Sequence, residues 1–193
     1  GATGGFGHTI GSAWGDMDSD GHLDLFVGNF SHPGQPPAKF LRNTGPSGGY
    51  RFQEMNSLSG ADWQESYCTP ALGDMDNDGD LDLFVAAVGE DMLLINEGSR
   101  SFRLQDSSSG VSGHKNSWST SAAFFDADGD DDLDLFICEY VRWSRQKDID
   151  VDYRLPGLGR AYGPPTNFEG TQCRLLLNDG SGHFEDVSLQ AGI

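Results

Sequence analysis

Short apolar runs, each ended by Gly, Asn, Asp or Ser, divide this chain into strands and turns. The pattern is clearest in the middle, where it predicts strands over Tyr67–Gly73, 81–88, Met92–Asn96 and Phe102–Leu104. Gly89-Glu90 forms a tight turn between the second and third, and Asn96-Glu97-Gly98 a turn between the third and fourth. The same order of features returns on either side. Ala13, Ala71 and Ala123 each precede a larger apolar residue, Trp14, Leu72 or Phe124, expected to be core. Leu25-Phe26-Val27, Leu83-Phe84-Val85 and Leu135-Phe136-Ile137 follow, then Asn43 and Gly45, Asn96 and Gly98, Asn178 and Gly180. Phe52, Phe102 and Phe184 close the units. Internal repetition of this length points to stacked or radial repeats. The prediction is therefore all-β: three four-stranded antiparallel repeats of the β-propeller blade type, over 1–60, 61–111 and 112–193. An insertion at about 141–173 interrupts the third unit between its second and third strands. No segment has helical periodicity; the most helix-compatible, 140–152, is charged and lacks an apolar stripe.

Between the first and second strand of every unit runs an acidic phrase, Asp-x-Asp-x-Asp-(Gly/Asp)-x-Leu-Asp-Leu-Phe, at 16–26, 74–84 and 126–136. Carboxylates at alternate positions, a sharp turn, and a final carboxylate carried on a strand form an oxygen cage. Ca²⁺ wants such a cage, with six to eight oxygens at about 2.3–2.6 Å. The expected ligands of the first loop are Asp16, Asp18, Asp20 and Asp24 with the backbone carbonyl of His22. Those of the second are Asp74, Asp76, Asp78 and Asp82 with the carbonyl of Asp80. The third loop offers Asp126, Asp128, Asp130 and Asp134, with Asp132 at the carbonyl position. Gly21 and Gly79 stand where a positive φ is needed; the third loop has Asp131 there and its Gly, Gly129, two residues earlier. About three Ca²⁺ ions are expected. Mg²⁺ prefers fewer carboxylates and retained water, and an all-oxygen set does not suit zinc or copper. Asp-rich turns held by their own hydrogen bonds would explain one or two Asp per loop, not four at a fixed spacing.

Charge sharpens this reading. The chain of 193 residues carries 12 basic and 30 acidic residues, net −18, and fifteen of the acidic residues lie in the three loops. Half the negative charge is thus local ligand density, and nucleic acid or anionic membranes are not expected partners. No apolar run is long enough to span a bilayer. Cys68, Cys138 and Cys173 are too few for a disulfide framework; a Cys138–Cys173 bridge and three half-buried thiols are both compatible with the spacing. Asn29-Phe30-Ser31 matches a glycosylation acceptor.

With those residues in view, the chain resembles the FG-GAP/VCBS repeat family of calcium-loop propeller blades. Phe6-Gly7 and Gly28-Asn29-Phe30 are similar to the two ends of that repeat. Trp14-Gly15-Asp16 through Val27, the turn Asn178–Phe184, and Tyr162-Gly163-Pro164-Pro165 resemble more narrowly the cartilage acidic protein and ASPIC/UnbV group. A propeller closes with roughly four to eight blades, so three units imply part of a longer chain, a ring completed by other copies, or an open array. Protein partners, including further copies, are therefore expected. The resemblance implies a secreted or cell-surface, non-catalytic calcium-binding scaffold for adhesion or matrix assembly, self-assembly into a ring or fibre being a natural extension. Glycan binding is the alternative, through Trp14, Trp63, Trp118, Trp143, Tyr153, Tyr162 and Phe168. No nucleophile elbow, zinc helix or phosphate loop is present, and His8, His22, His32, His114 and His183 are scattered, so no catalysis is expected.

Overall fold

The computed structural model describes residues 8–30, 37–55, 67–98, 101–161 and 163–193. The boundary at 60/61, Phe6-Gly7, Ser31, His32, Trp63 and Tyr162 lie outside them. Three four-stranded antiparallel sheets follow one another along the chain. Blade 1 contains β1 (His8–Gly15), β2 (Asp24–Phe30), β3 (Lys39–Asn43) and β4 (Phe52–Glu54). Blade 2 contains β5 (Tyr67–Gly73), β6 (Asp82–Ala87), β7 (Met92–Asn96) and β8 (Phe102–Leu104). Three of these four strands coincide with the predicted spans, and β6 is shorter by a residue at each end. Within both sheets the spatial order follows the chain.

Blade 3 is built around its insertion. β9 (Ser119–Phe125) and β10 (Asp134–Glu139) pair as in the other blades. The chain then makes α1 (Arg145–Val151), a small hairpin of β11 (Arg154–Leu155) and β12 (Gly159–Arg160), and returns as β13 (Arg174–Asn178) and β14 (Phe184–Asp186). A final turn, α2 (Ser188–Ala191), follows. Neither helix has apolar periodicity to announce it, and neither buries a residue. In α1 a cap takes the place of a stripe. Ser144 Oγ accepts the Lys147 N–H at 3.2 Å, and Asp152 ends the helix in the left-handed region at φ 41°. Cys138 and Cys173 are free, half-buried thiols, which removes the bridge. Asn29 is buried; its side-chain amide donates to Pro37 O and its Oδ1 accepts from Thr9 Oγ1.

The core lies between the blades. The first strands stand side by side, β1 against β5 and β5 against β9. One apolar cluster joins Met17, Phe26 and Phe40 of blade 1 to Leu83, Val85, Leu94 and Phe102 of blade 2. The next joins Met75, Phe84, Leu93 and Ile95 to Leu135, Ile137, Leu176 and Phe184. Successive sheets thus bury opposite faces of the same strands, which is why β6 reads as a continuous apolar run rather than an alternating one. Gly15 and Gly73 allow the close approach. A Cβ on Gly73 would stand 2.9 Å from Phe124 Cδ2 and 3.1 Å from Leu133 Cδ1. Gly73→Ala is accordingly expected to cost about 1–3 kcal/mol, read as a lower denaturation midpoint with an unchanged m-value.

Candidate metal centres

Each Asp loop is shaped by its first and last carboxylates. In loop 1, Asp16 accepts the N–H groups of Asp20 and Gly21 at 3.0 and 2.7 Å. In loop 2, Asp74 accepts those of Asp78 and Gly79 at 3.1 and 3.0 Å. The last carboxylate is buried: Asp24, Asp82 and Asp134 are at most 1% exposed. One oxygen of each holds the loop and the other holds the Asn turn between the third and fourth strands. Asp82 Oδ2 accepts the Met75 N–H at 2.8 Å while Oδ1 accepts the Asn96 N–H at 2.7 Å. Asp24 does the same with Met17 and Asn43, and Asp134 with Ala127 and Asn178. Asp and Asn, fourteen or more residues apart, form a latch that ties the loop to the far hairpin of its own blade.

In blades 2 and 3 the Asn side chain carries the latch into the preceding blade. Asn96 Nδ2 donates to Met17 O at 2.9 Å and to Leu81 O at 3.2 Å; Asn178 Nδ2 donates to Met75 O at 2.7 Å and Leu133 O at 3.1 Å. Loops also touch directly. Ser19 Oγ donates to Asp80 Oδ1 at 2.8 Å, and Asn77 Nδ2 to Asp132 Oδ1 at 2.6 Å.

Three sets of carboxylate oxygens converge to within 4.8 Å of one another: Asp16, Asp18 and Asp24; Asp74, Asp76 and Asp78; Asp126, Asp128 and Asp134. All nine are expected ligands. Asp20, Asp82 and Asp130 stand outside these sets. Asp20 accepts the His22 N–H and Arg42, Asp82 accepts the Met75 and Asn96 N–H groups, and Asp130 accepts the Asp132 N–H at 2.9 Å, while the same latch bonds at Asp24 and Asp134 leave an oxygen of each within its set. His22, Asp80 and Asp132 occupy position seven of each loop, where their backbone carbonyls are the expected ligands. The side chains of Asp80 and Asp132 serve instead as acceptors for the neighbouring loop.

The donor set fits a hard cation on a second count. Asp76 Oδ1 is buried with no hydrogen-bond partner, an arrangement a protein interior tolerates poorly. Burial, then the charge of Asp78, raises the Asp76 pKa; burial, then Asp130, raises that of Asp128. Burial pushes Asp24 up to about 6 and Asp82 up to about 7, against the pull of their N–H donors. A divalent ion would reverse this by favouring the ionised carboxylates.

One residue of the first site has no counterpart in the others. Arg42 reaches from β3 to Asp18 and Asp20, where the equivalent residues of β7 and β13 are Ile95 and Leu177. Its guanidinium occupies carboxylate oxygens that a metal would use. Arg42→Ile is expected to tighten calcium binding at loop 1 by roughly tenfold, a change of about 1.4 kcal/mol, measurable by calorimetry.

The described residues also contain an aromatic group, Trp118 packed edge-on against Tyr140 and Trp143 with ring centroids 5.8 Å away in both cases. Near it a polar cleft of about 920 Å³ is lined by Glu139, Arg142, Glu169 and Arg174. Trp14, expected in the core, is 55% exposed and touches Phe52 edge-on at 6.0 Å.

The fold has a distant likeness to a solved structure of an Agrocybe aegerita lectin whose title describes recognition of non-reducing terminal N-acetylglucosamine. The match has 16% identity, 93% of this chain, 51% of that one and a TM-score of 0.41. The chain thus spans about half the length of that relative. No curated protein sequence matches it. The FG-GAP-like repeat matches twice in overlapping register, over residues 16–85 and 74–137, each match containing two Asp loops and together covering more than half the chain. The carboxylate loops, the Asn latches and this repeated match identify the chain as a member of the FG-GAP-like repeat family, built of β-propeller-type blades.

Proposed function

We propose that the chain is a non-catalytic scaffold of calcium-stabilised blades, secreted or displayed at a cell surface, that works by holding protein partners. The observation that carries the reading is the convergence of three carboxylate oxygens in each of three loops, one of them holding an orphaned buried oxygen at Asp76. Residues Asp16, Asp18 and Asp24, Asp74, Asp76 and Asp78, and Asp126, Asp128 and Asp134 would hold the ions, with backbone carbonyls of the same loops. Bound Ca²⁺ supplies positive charge where like charges are crowded, and three ions would bring the net charge from −18 to −12. The loops themselves set the register between blades through Ser19, Asn77, Asn96 and Asn178, so filling them would stiffen the whole array.

Extracellular calcium fits this use, because sites of about 10⁻⁴–10⁻³ M affinity fill outside cells. No described helix is long and apolar enough to cross a membrane. The carboxylates best placed for acid–base work are taken up by the loops and latches, which favours a binding role over catalysis. Within its family, the Asn178–Phe184 turn and the Pro164-Pro165 insertion support a place near the cartilage acidic protein group.

The test is stoichiometry. Equilibrium dialysis in millimolar calcium should give about three ions per chain, and Asp76→Asn about two. Fewer than one ion per folded chain would overturn the proposal. Glycan binding is a second reading, favoured by the Trp118–Tyr140–Trp143 group beside the polar cleft, where Tyr140 is 45% exposed. Hits on a glycan array that vanish in Tyr140→Ala and Trp143→Ala would establish it.

A further inference from the structure

The Asp loops differ in what faces the carboxylate at their third position. In loop 2 a buried oxygen of that residue, Asp76, has no hydrogen-bond partner. In loop 1 the same position, Asp18, is bonded to a cation that belongs to the chain. Arg42 Nε donates to Asp18 Oδ2 and Nη2 to Asp20 Oδ2, so one guanidinium bridges two carboxylates of the loop, as a bound metal would. Backbone N–H groups take the other two, Asp16 accepting those of Asp20 and Gly21 and Asp24 those of Met17 and Asn43. Every side chain expected to bind calcium in loop 1 thus has a donor supplied by the protein.

Arg42 owes this reach to its place on β3. The strands β3, β7 and β13 each end in the latch asparagine, and the residue before it is Arg42, Ile95 or Leu177. Ile95 is buried in the cluster shared with blade 3, where a Cβ on Gly182 would stand 3.3 Å from its Cδ1. The position therefore belongs to the interface between blades. In blade 1 the arginine stem lies beside Met17, Phe40 and Met55 and carries the charged head into the loop.

Space makes this an exchange rather than an addition. The gap bounded by Arg42, Asp18, Asp24, Met17, Phe40 and Met55 does not admit a sphere the size of a water molecule. The guanidinium holds oxygens that a Ca²⁺ ion would need at about 2.3–2.6 Å, and no room is left for both. Loops 2 and 3 have an apolar residue at the same position and face no such competitor.

We propose that Arg42 is the resident cation of loop 1 and must leave before that loop can take calcium. Loop 1 is then bridged before any ion arrives, and it fills after loops 2 and 3. The proposal rests on the reading of the loops as calcium sites. To that reading it adds an order of filling, and a first blade whose loop stays closed when calcium is scarce.

A calcium isotherm and a pair of thermal melts test it together. Flow dialysis of the wild-type chain should show two ions binding as one class and a third about tenfold more weakly. In Arg42→Ile, which installs the residue of β7, the three should merge into one class. The melts should change sign. In chelator the variant should melt roughly 3–6 °C below wild type, because Asp18 and Asp20 lose a charged partner. In saturating calcium it should melt at or above wild type, because no guanidinium has to be expelled. Arg42→Met carries the same expectations if Arg42→Ile does not fold. Three equal sites in the wild type would overturn the exchange and leave the calcium reading intact, and so would a variant that melts no lower in chelator. A variant that melts below wild type in both conditions would mark Arg42 as a packing residue and overturn it as well. Fewer than one ion per folded chain in both proteins would instead remove the calcium reading, and the exchange with it.

Discussion

Removing calcium is expected to lower the melting temperature by roughly 10–20 °C. A site with a dissociation constant near 10⁻⁴ M in about 2 mM calcium adds roughly 1.8 kcal/mol to stability by mass action, and three such sites about 5 kcal/mol. For a domain of this size each kcal/mol shifts the midpoint by about 2–4 °C. Because the loops bond to one another across both interfaces, the loss should appear as one cooperative transition shifted down, not as a separate loop melting early. The pH dependence gives an independent handle. Folded Asp24 and Asp82 sit at about 6 and about 7 through burial, above the value of 3.8 for a free side chain. Without metal the folded chain holds protons that the unfolded chain has released, so stability falls as pH rises through roughly 4 to 7. With calcium bound, the carboxylates ionise against the cation and that slope should flatten. Calorimetric scans of resin-stripped and calcium-loaded protein at pH 5 and pH 7.5 would show both effects. Identical midpoints in the two states at pH 7.5 would remove the ions from any part in stability.

Much of the blade was legible because each element is signalled locally. The strands of blade 2 carry their own turn residues at each end, and the predicted left-handed positions are left-handed, Gly21 at φ 85°, Gly79 at φ 94° and Asp131 at φ 72°. The displaced glycine of loop 3 has a cause that appears only in three dimensions. Position four of each loop is left-handed as well, with Ser19 at φ 54°, Asn77 at φ 58° and Gly129 at φ 86°. Loops 1 and 2 place glycine at the sixth position and loop 3 at the fourth, leaving Asp131 the other left-handed place.

What stayed hidden depends on register between strands far apart in the chain. The oxygens of Asp24, Asp82 and Asp134 are drawn to the N–H groups of Asn43, Asn96 and Asn178, a pairing that no spacing within the loop reveals. Arg42 enters loop 1 from β3 at a position that is apolar in the other blades. Trp14 shares its repeat position with Leu72 and Phe124, which predicts a core residue, yet those two pack on Gly15 and Gly73 of the preceding blade while Trp14 is exposed. The helix of the insertion, lacking a stripe to bury, is held by its caps.

Arg174→Met should be among the most destabilising single substitutions away from the loops, costing about 3–5 kcal/mol near pH 8. The guanidinium is the cation of a buried cluster that joins blade 2 to blade 3. Its Nη2 donates to Asp91 Oδ2 at 2.7 Å and its Nε to Glu139 Oε1 at 2.8 Å, and both Nη atoms donate to Val111 O. Asp91 lies between β6 and β7 and is also held by the Ala87 N–H and Ser119 Oγ, each at 2.9 Å. Methionine fills similar volume, and Met92 occupies the equivalent position of β7, so the loss would be electrostatic rather than a cavity. Two carboxylates would remain buried without a cation. Burial already pushes Asp91 up to about 7, Arg174 being the largest influence pulling it down, so removing the arginine must move it higher. The deficit relative to wild type should therefore shrink as pH falls from 8 toward 6 and Asp91 takes up its proton. Adding Asp91→Asn should recover part of the loss at pH 8, since one of the stranded charges is then gone. Denaturant melts of the single and double variants at both pH values would decide it. A single variant within about 0.5 kcal/mol of wild type at pH 8 would mean that water, not Arg174, satisfies these carboxylates.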